Sequence, residues 1–259
     1  MGLKICVLSS GSSGNCTFIG GERTRILIDA GLSGKETAVR LERIGESIAC
    51  VSAVCVTHEH DDHTAGVGVL HRRYKMKLYA NTGTIESLEQ AKKLDKLPWN
   101  VFATGSPFDI EELHIEPFSV PHDSFDPVGF AVSSGGSRVG VVTDMGMTTG
   151  LIREKLKNCQ AVVLESNHDE DMLKDSVRPW SLKQRIFGRQ GHLSNMQARE
   201  LIGEIAGPNL KFIFLAHISS DCNRPHIAQR SAQQAVERAG HTTEVKLTYP
   251  DKPSDAVEV

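Results

Sequence analysis

Paired cysteines are missing from this sequence. Its six cysteines, at positions 6, 16, 50, 55, 159 and 222, are scattered and include no C-x-x-C pair. This spacing argues against a disulfide framework and against a cysteine-rich zinc site, and it favours reduced thiols in a cytoplasmic protein. The stretch from Met1 to Leu8 is too short for a signal peptide or a membrane span, so we expect no membrane partner.

An excess of basic residues is also missing. The chain has 29 Lys and Arg against 32 Asp and Glu, a net charge of −3, so a polyanionic substrate would need a local basic patch. Low-complexity stretches and solenoid-length repeats are absent too. A chain of 259 residues is long enough for one large α/β domain. We expect a single domain over residues 1–259, with a frayed end from about residue 250.

The loop from Ser9 to Asn15 lacks the Gly-Lys-Ser/Thr ending of a P-loop. It follows a predicted strand, Leu3 to Leu8, and a second strand rather than a helix follows it. We therefore favour a plain hairpin loop over a phosphate cradle. Its small side chains would still let the backbone approach a site closely.

Histidine and aspartate are concentrated after one apolar run. Ala53 to Val56 reads as a buried strand, and H-E-H-D-D-H follows at residues 58–63. Because side chains alternate along a strand, His58 and His60 point the same way, and Asp62 and His63 come after the turn begins. Imidazole and carboxylate ligands suit Zn, Mn or Fe. We favour a metal site over the alternative, a solvated turn that happens to be rich in histidine.

Three further apolar runs end in a candidate ligand: His122, Asp144 and His217. Each alone is a weak signal, because a single His or Asp after a strand is more often a hydrogen-bonded loop residue. Together with the first cluster they predict one shared rim of a sheet, where ligands from different strands converge.

Asp29 ends the predicted strand from Arg25 to Asp29, before a predicted helix at about Lys35 to Ile44. A carboxylate at this position either caps the helix or orients metal ligands through hydrogen bonds. The residues alone favour the cap.

His192 stands out in the second half of the chain. It lies between Gly191 and a predicted helix that has Ser194 as N-cap and runs to about Ile205. Glu165 follows a predicted strand, Ala161 to Leu164. The periodicity predicts further helices over Thr64 to Tyr74, Thr84 to Lys93 and Ser181 to Phe187.

The segment from Arg178 to Gln190 contains four basic residues and no acidic one. It is the best candidate for a local phosphate-binding surface, and an ordinary basic helix face is the alternative. The candidate phosphate contacts are Arg178, Lys183, Arg185 and Arg224.

The ordered set of strand-end residues resembles that of metallo-β-lactamase-fold hydrolases over nearly the whole chain. The resemblance implies a four-layer αββα sandwich of two mixed β-sheets flanked by helices, with the site at one edge between the sheets. It implies one metal on His58, His60 and His122. It implies a second metal on Asp62, His63 and His217, with Asp144 bridging the two. Asp29 matches the first motif of that fold, which shifts its interpretation towards orienting a ligand.

Three stretches resemble the YycJ (WalJ) group of DNA exonucleases: G-S-S-G-N-C at residues 11–16, L-E-S-N-H-D at 164–169 and G-H-L-S-N at 191–195. Glu165 and His192 also resemble the Glu–His pair of RNase Z and PhnP, which implies that His192 protonates the leaving oxygen. The chain lacks the tRNA-gripping insertion of RNase Z. Between Asp144 and His217 it has no room for a β-CASP domain.

The function implied is that of a dinuclear phosphodiesterase, an exonuclease on DNA or RNA. Two divalent ions (Zn, Mn or Fe) would hold a bridging hydroxide that attacks phosphorus. Asp62 would hold the proton of that hydroxide, and Glu165 would fix the tautomer of His192. Glu59 and Asp61 are expected to face away.

Two alternatives remain: hydrolysis of a small cyclic phosphodiester, thioester or lactone, and a non-catalytic metal-stabilised regulator. A nucleic acid is the expected partner, and no protein partner is inferred.

Overall fold

Fourteen strands form two β-sheets in the computed structural model, which describes residues 2–91 and 96–259. Most strands are short runs rich in Val, Ile and Leu, which suit a pleated, buried surface. In chain order the strands are β1 (Lys4–Ser9), β2 (Cys16–Gly20), β3 (Arg25–Ile28), β4 (Val51–Cys55), β5 (Lys77–Asn81), β6 (Trp99–Phe102), β7 (Phe108–Ile110), β8 (Leu113–Ser119), β9 (Val128–Ser134), β10 (Ser137–Val142), β11 (Ala161–Glu165), β12 (Phe212–Ala216), β13 (Glu244–Leu247) and β14 (Val257–Glu258).

Helices connect many of these strands. They are α1 (Gly34–Arg43), α2 (Asp61–Thr64), α3 (Val67–Tyr74), α4 (Thr82–Gln90), α5 (Gly150–Leu156), α6 (Glu170–Asp175), α7 (Trp180–Phe187), α8 (Asn195–Ile205) and α9 (Pro225–Arg238), with a short 3₁₀ helix at Ile48–Cys50. No helix in the described ranges is both long and apolar enough to span a membrane.

Both sheets are mixed. The first has the order β14-β1-β2-β3-β4-β5-β6 and is parallel from β3 to β6. The second has the order β13-β12-β11-β10-β9-β8-β7 and is parallel from β10 to β13. The remaining neighbours in both sheets are antiparallel. Each sheet therefore has the same mixture of three parallel and three antiparallel pairings, and the first sheet takes its edge strand β14 from the end of the chain.

Apolar side chains from both sheets share one core between them. A second core lies between the first sheet and α1, α3 and α4, and a third lies between the second sheet and α5, α8 and α9. The predicted four-layer αββα sandwich is confirmed. Burial of apolar surface, at roughly 25 cal/mol per Å², is the main force that holds these layers together.

The carboxyl ends of the parallel strands meet at one edge shared by the two sheets. Asn15, after β1, donates its backbone N–H to the carbonyl of Asp62 at 2.7 Å. His217, which follows β12, donates its backbone N–H to Ser10 Oγ at 2.7 Å. The first hydrogen bond joins two loops of the first sheet, and the second joins a loop of the first sheet to a loop of the second. The residues at the strand ends therefore lie together at this edge.

Two sequence predictions about the elements need correction. The helix predicted over Thr64 to Tyr74 is two helices, α2 and α3, because the backbone N–H of Gly66 donates to the carbonyl of Ala30 at 2.7 Å and so leaves the helical pattern. The helix predicted over Thr84 to Lys93 is α4, which ends at Gln90. Residues 92 and 93 lie outside the described residues.

The chain end from about residue 250 was expected to fray, and this is wrong. Strand β14 pairs with β1, and Ser254 Oγ accepts a hydrogen bond from the backbone N–H of Val7 at 3.0 Å. Val257 lies opposite Ile5 in the register. The segment completes the edge of the first sheet, which the Pro- and Asp-containing sequence did not reveal.

Candidate active site

Three histidines face one another at the shared edge of the sheets. His58 Nε2 lies 3.0 Å from His60 Nδ1, and His122 Nε2 lies 3.4 Å from the same atom. Burial and the neighbouring imidazoles lower the pKa of His58 and of His60. His122 Nδ1 donates to the carbonyl of Gly191 at 3.1 Å, and its Nε2, which faces His60, also lies 3.3 Å from Asp123 Oδ1. Neutral imidazoles facing a common point offer lone pairs to one cation.

A second group of donor atoms lies next to the first. His63 Nε2 is 3.0 Å from Asp144 Oδ2 and 3.5 Å from Asp62 Oδ2. His217 Nε2 is 3.6 Å from the same Asp62 oxygen. One donor atom each of His58, His63 and Asp144 lies within 4.8 Å of the others, so Asp144 connects the two groups.

The unpaired atoms of this second group show that the residues fit divalent cations. Asp144 Oδ2 and His217 Nε2 are buried and make no hydrogen bond to any described residue. Burial disfavours the charged form of Asp144, but His217 and His63 outweigh it and hold the pKa of that carboxyl well below its usual range. Buried donor atoms that lie close to one another without forming a hydrogen bond are costly, and a cation between them removes that cost.

Three of the converging residues have a left-handed backbone. Asp29, Asp144 and His217 have φ values of 62°, 53° and 53°. Non-glycine residues in this region are uncommon, and such strain is concentrated at functional sites. The sharp reversal after each strand turns the side chain towards the shared edge.

Asp29 orients a candidate ligand. Its Oδ2 lies 2.7 Å from His63 Nδ1, and its Oδ1 accepts from the backbone N–H of Thr57 at 2.8 Å. Because Nδ1 is engaged, His63 Nε2 faces the donor group. The capping interpretation is wrong, because the side chain of Ser33 caps α1.

Glu165 holds two histidines at once. Its Oε1 lies 2.7 Å from His192 Nδ1 and 3.1 Å from His217 Nδ1. Its Oε2 accepts from the backbone N–H groups of Met145 and Leu193, at 2.9 and 3.1 Å. Glu165 is fully buried, which disfavours its charge, yet the facing imidazoles lower its pKa to about 2. An ionised carboxylate with all of these partners fixes both rings through their Nδ1 atoms.

A cavity of about 450 Å³, here called the catalytic cavity, opens beside His192 and His217. Arg178 and Arg185 line it, and they pair with Asp221 (2.8 Å) and Asp123 respectively. The other two candidate phosphate contacts do not line the cavity. Lys183 Nζ donates to the carbonyl of Lys174 at 2.6 Å, and Arg224 donates to the carbonyls of Ser220 and Asn223.

Two asparagines for which no role was predicted from the sequence contact the candidate ligands. Asn15 Nδ2 donates to Asp62 Oδ2 at 3.0 Å. Asn167 Nδ2 donates to the carbonyl of His217 at 2.8 Å. Asn15 lies in the motif G-S-S-G-N-C and Asn167 in L-E-S-N-H-D. Their position in these motifs is the sequence feature that could have predicted their role.

Comparison with known protein families identifies the class of protein to which the chain belongs. The family model described as a β-lactamase superfamily domain matches residues 24–218, which include every candidate metal ligand. The structure resembles that of YhfI from Bacillus subtilis, a metallo-β-lactamase-fold protein, with a TM-score of 0.76 and 15% identity over 100% of both chains. Fold, donor atoms and family model together define a metal-dependent hydrolase of the metallo-β-lactamase fold.

Full-length relatives define the family more narrowly. The chain is 35% identical over 261 residues to exodeoxyribonuclease YycJ of Bacillus anthracis, covering 98% of each. It is 33% identical over 266 residues to exodeoxyribonuclease WalJ of Streptococcus pneumoniae, covering 100% of this chain and 99% of the relative. The chain belongs to the family of YycJ and WalJ.

Proposed function

We propose that the protein is a dinuclear-metal exonuclease that cleaves phosphodiester bonds in DNA. The observation that carries this proposal is the Glu165–His192 pair, whose 2.7 Å contact lies beside the candidate metal ligands and on the wall of the catalytic cavity. Hydrolysis of a phosphodiester needs a proton for the departing oxygen, whereas hydrolysis of a thioester releases a thiolate that departs without one. The relatives YycJ and WalJ, named as exodeoxyribonucleases, support DNA over RNA.

Two groups of residues would hold the metal ions. One ion (Zn, Mn or Fe) would bind His58, His60 and His122, the second would bind Asp62, His63 and His217, and Asp144 would bridge them. When bound, the ions would supply an activated water and offset negative charge on the phosphate. The side chain of Asp62 is 22% exposed, and Asn15 fixes it through the 3.0 Å hydrogen bond. In this proposal Asp62 would accept a proton from the attacking water.

His192 would give its proton to the departing oxygen. Glu165 engages Nδ1, so Nε2 is the nitrogen available to the catalytic cavity. Burial lowers the pKa of His192, but the carboxylate of Glu165 more than compensates and raises it. The ring therefore carries a proton at neutral pH more readily than a free histidine does, as a general acid requires.

Arg178 and Arg185 would contact the phosphates of the substrate strand. Both side chains line the catalytic cavity, and each is held by a carboxylate at the protein surface. A guanidinium matches phosphate geometry with two parallel hydrogen bonds. In a chain of net charge −3, these two guanidinium groups would supply local positive charge to a polyanion once its phosphates replace Asp221 and Asp123 as their partners.

His192→Ala tests the proposal. We expect the wild-type protein, loaded with Mn²⁺ or Zn²⁺, to degrade end-labelled DNA, and the variant to lose about 10²–10⁴-fold in rate because the general acid is gone. The variant should keep its metal content, measured by atomic emission. The matched control is His114→Ala, which removes a surface histidine that pairs with Asp109.

Two results would contradict the proposal. Full activity of the His192→Ala protein on DNA would remove the general-acid role. Turnover of cyclic nucleotides or S-lactoylglutathione, with no cleavage of DNA by the metal-loaded wild type, would assign the site to a small substrate instead.

A further inference from the structure

An exposed aromatic ring lies close to the candidate metal ligands. Phe125 is 65% exposed and follows His122 by three residues, in the loop between β8 and β9. Burial of a phenylalanine side chain is favourable, so its exposure beside a site leaves an apolar surface for a ligand to cover.

Two contacts fix the position of Phe125. Its backbone N–H donates to Glu59 Oε1 at 2.9 Å, and Glu59 lies between the candidate ligands His58 and His60. A Cβ atom at Gly83 would lie 2.8 Å from Phe125 Cδ1, so the ring packs close to the Gly83 backbone, where a side chain would clash. The hydrogen bond to Glu59 connects the Phe125 loop to the loop of the candidate ligands.

The ring of Phe125 lines a second cavity of about 460 Å³, here called the rim cavity. Leu151, which is 42% exposed, and the candidate ligand His122 line it too. Asp123, the next residue, lines the catalytic cavity. The two cavities therefore adjoin at consecutive residues, one with arginines on its wall and the other with exposed apolar side chains.

We propose that the rim cavity binds a nucleobase of the substrate, which stacks on Phe125 while its phosphate lies at the metal ligands. This inference rests on the proposed nuclease function and assigns it a base-binding subsite. In a nucleotide one sugar separates base from phosphate, so a cavity that shares His122 with the metal group and contains the exposed side chains of Phe125 and Leu151 suits a base. Stacking needs only the π-face that every base has, so this subsite binds without reading the sequence.

The experiment compares Phe125→Ala and Phe125→Trp with the wild type on single-stranded oligonucleotides. The terminal nucleotide carries either a base or an abasic tetrahydrofuran unit. On the normal substrate we expect Phe125→Ala to lose about 5- to 150-fold in kcat/KM, because one stack is worth about 1–3 kcal/mol. We expect Phe125→Trp to retain activity. On the abasic substrate the wild type should fall to the level of Phe125→Ala.

The matched control is Trp180→Ala. Trp180 is also 65% exposed but lines neither the catalytic nor the rim cavity, so its removal should leave kcat/KM unchanged. Equal activity of Phe125→Ala and wild type on the normal oligonucleotide would overturn the inference while the nuclease function stands. So would dimerisation through Phe125 without any effect on cleavage. Absence of wild-type cleavage of any DNA would overturn the proposed function and this inference together.

Discussion

Two buried carboxylates set the orientation of three histidines. Asp29 engages Nδ1 of His63, and Glu165 engages Nδ1 of both His192 and His217. In each case the Nε2 atom is directed to the site. For the candidate ligands His63 and His217, which bind a cation only as neutral imidazoles, engaging Nδ1 as the donor leaves Nε2 as the acceptor. At the scale of single residues, the site therefore depends on side chains that would not touch the substrate.

Asp29→Asn tests the orienting role at His63. Asparagine tolerates the left-handed backbone of this position but removes the charge that faces the imidazole. We expect the affinity for the second metal ion to fall about 10–100-fold, measured by calorimetric titration of the metal-free protein. Asp109→Asn is the control, because Asp109 also lies 2.7 Å from a histidine, His114, but at the surface. Equal metal affinities of Asp29→Asn and wild type would contradict the orienting role.

Among the elements, α8 has a direct influence on the site. Ser194 accepts from the backbone N–H of Gln197 at 3.2 Å, and the Gln197 side chain accepts from the N–H of Ser194 at 2.9 Å. This capping box confirms the predicted N-cap. Because His192 and Leu193 directly precede the cap, the start of α8 fixes where they meet Glu165.

Ser194→Ala separates stability from activity at this cap. We expect a loss of about 1 kcal/mol in the free energy of unfolding, measured by urea denaturation, together with a several-fold fall in DNA cleavage because His192 is less well placed. Ser33→Ala removes the equivalent cap of α1, where Ser33 accepts from the N–H of Glu36. The same loss of stability without loss of activity is expected there. An equal fall in activity for both variants would show that the effect is not local.

The whole molecule is tied together where its last residues meet both sheets. The backbone of Val259 exchanges hydrogen bonds with Leu3, at 2.9 and 3.0 Å, beside β1 of the first sheet. The carbonyl of Val259 also accepts from Ser137 Oγ, in β10 of the second sheet, at 2.5 Å. This segment therefore links the two sheets at the side of the apolar core.

Deletion of residues 257–259 tests this link. The loss of the two backbone hydrogen bonds to Leu3, of the hydrogen bond from Ser137 and of the partly buried side chains of Val257 and Val259 should lower the free energy of unfolding by about 3 kcal/mol, at roughly 1 kcal/mol for each hydrogen bond. Thermal and urea denaturation would measure it. Val257→Ala keeps the backbone hydrogen bonds, so we expect it to lose less than the deletion. A deletion as stable as the wild type would contradict the link.

Local pattern was enough to predict much of this protein. Apolar runs are buried in almost any fold that contains them, because removal of their surface from water dominates folding. Runs that end in His58, Asp144 or His217 therefore predicted strands with polar ends, and Ser194 predicted a helix start. The positions of the candidate ligands followed from these elements.

Features that depend on contacts between residues far apart in the sequence could be determined only from the tertiary structure. Arg178 and Arg185 line the cavity while Lys183 does not, although the three are neighbours on one basic stretch. The helix breaks between α2 and α3 because the N–H of Gly66 donates to the carbonyl of Ala30. Residues 257–258 form a strand because they pair with β1. The local sequence determines which residues favour a helix, a strand or a buried position. The partner of each polar group depends instead on which loops the two sheets bring together.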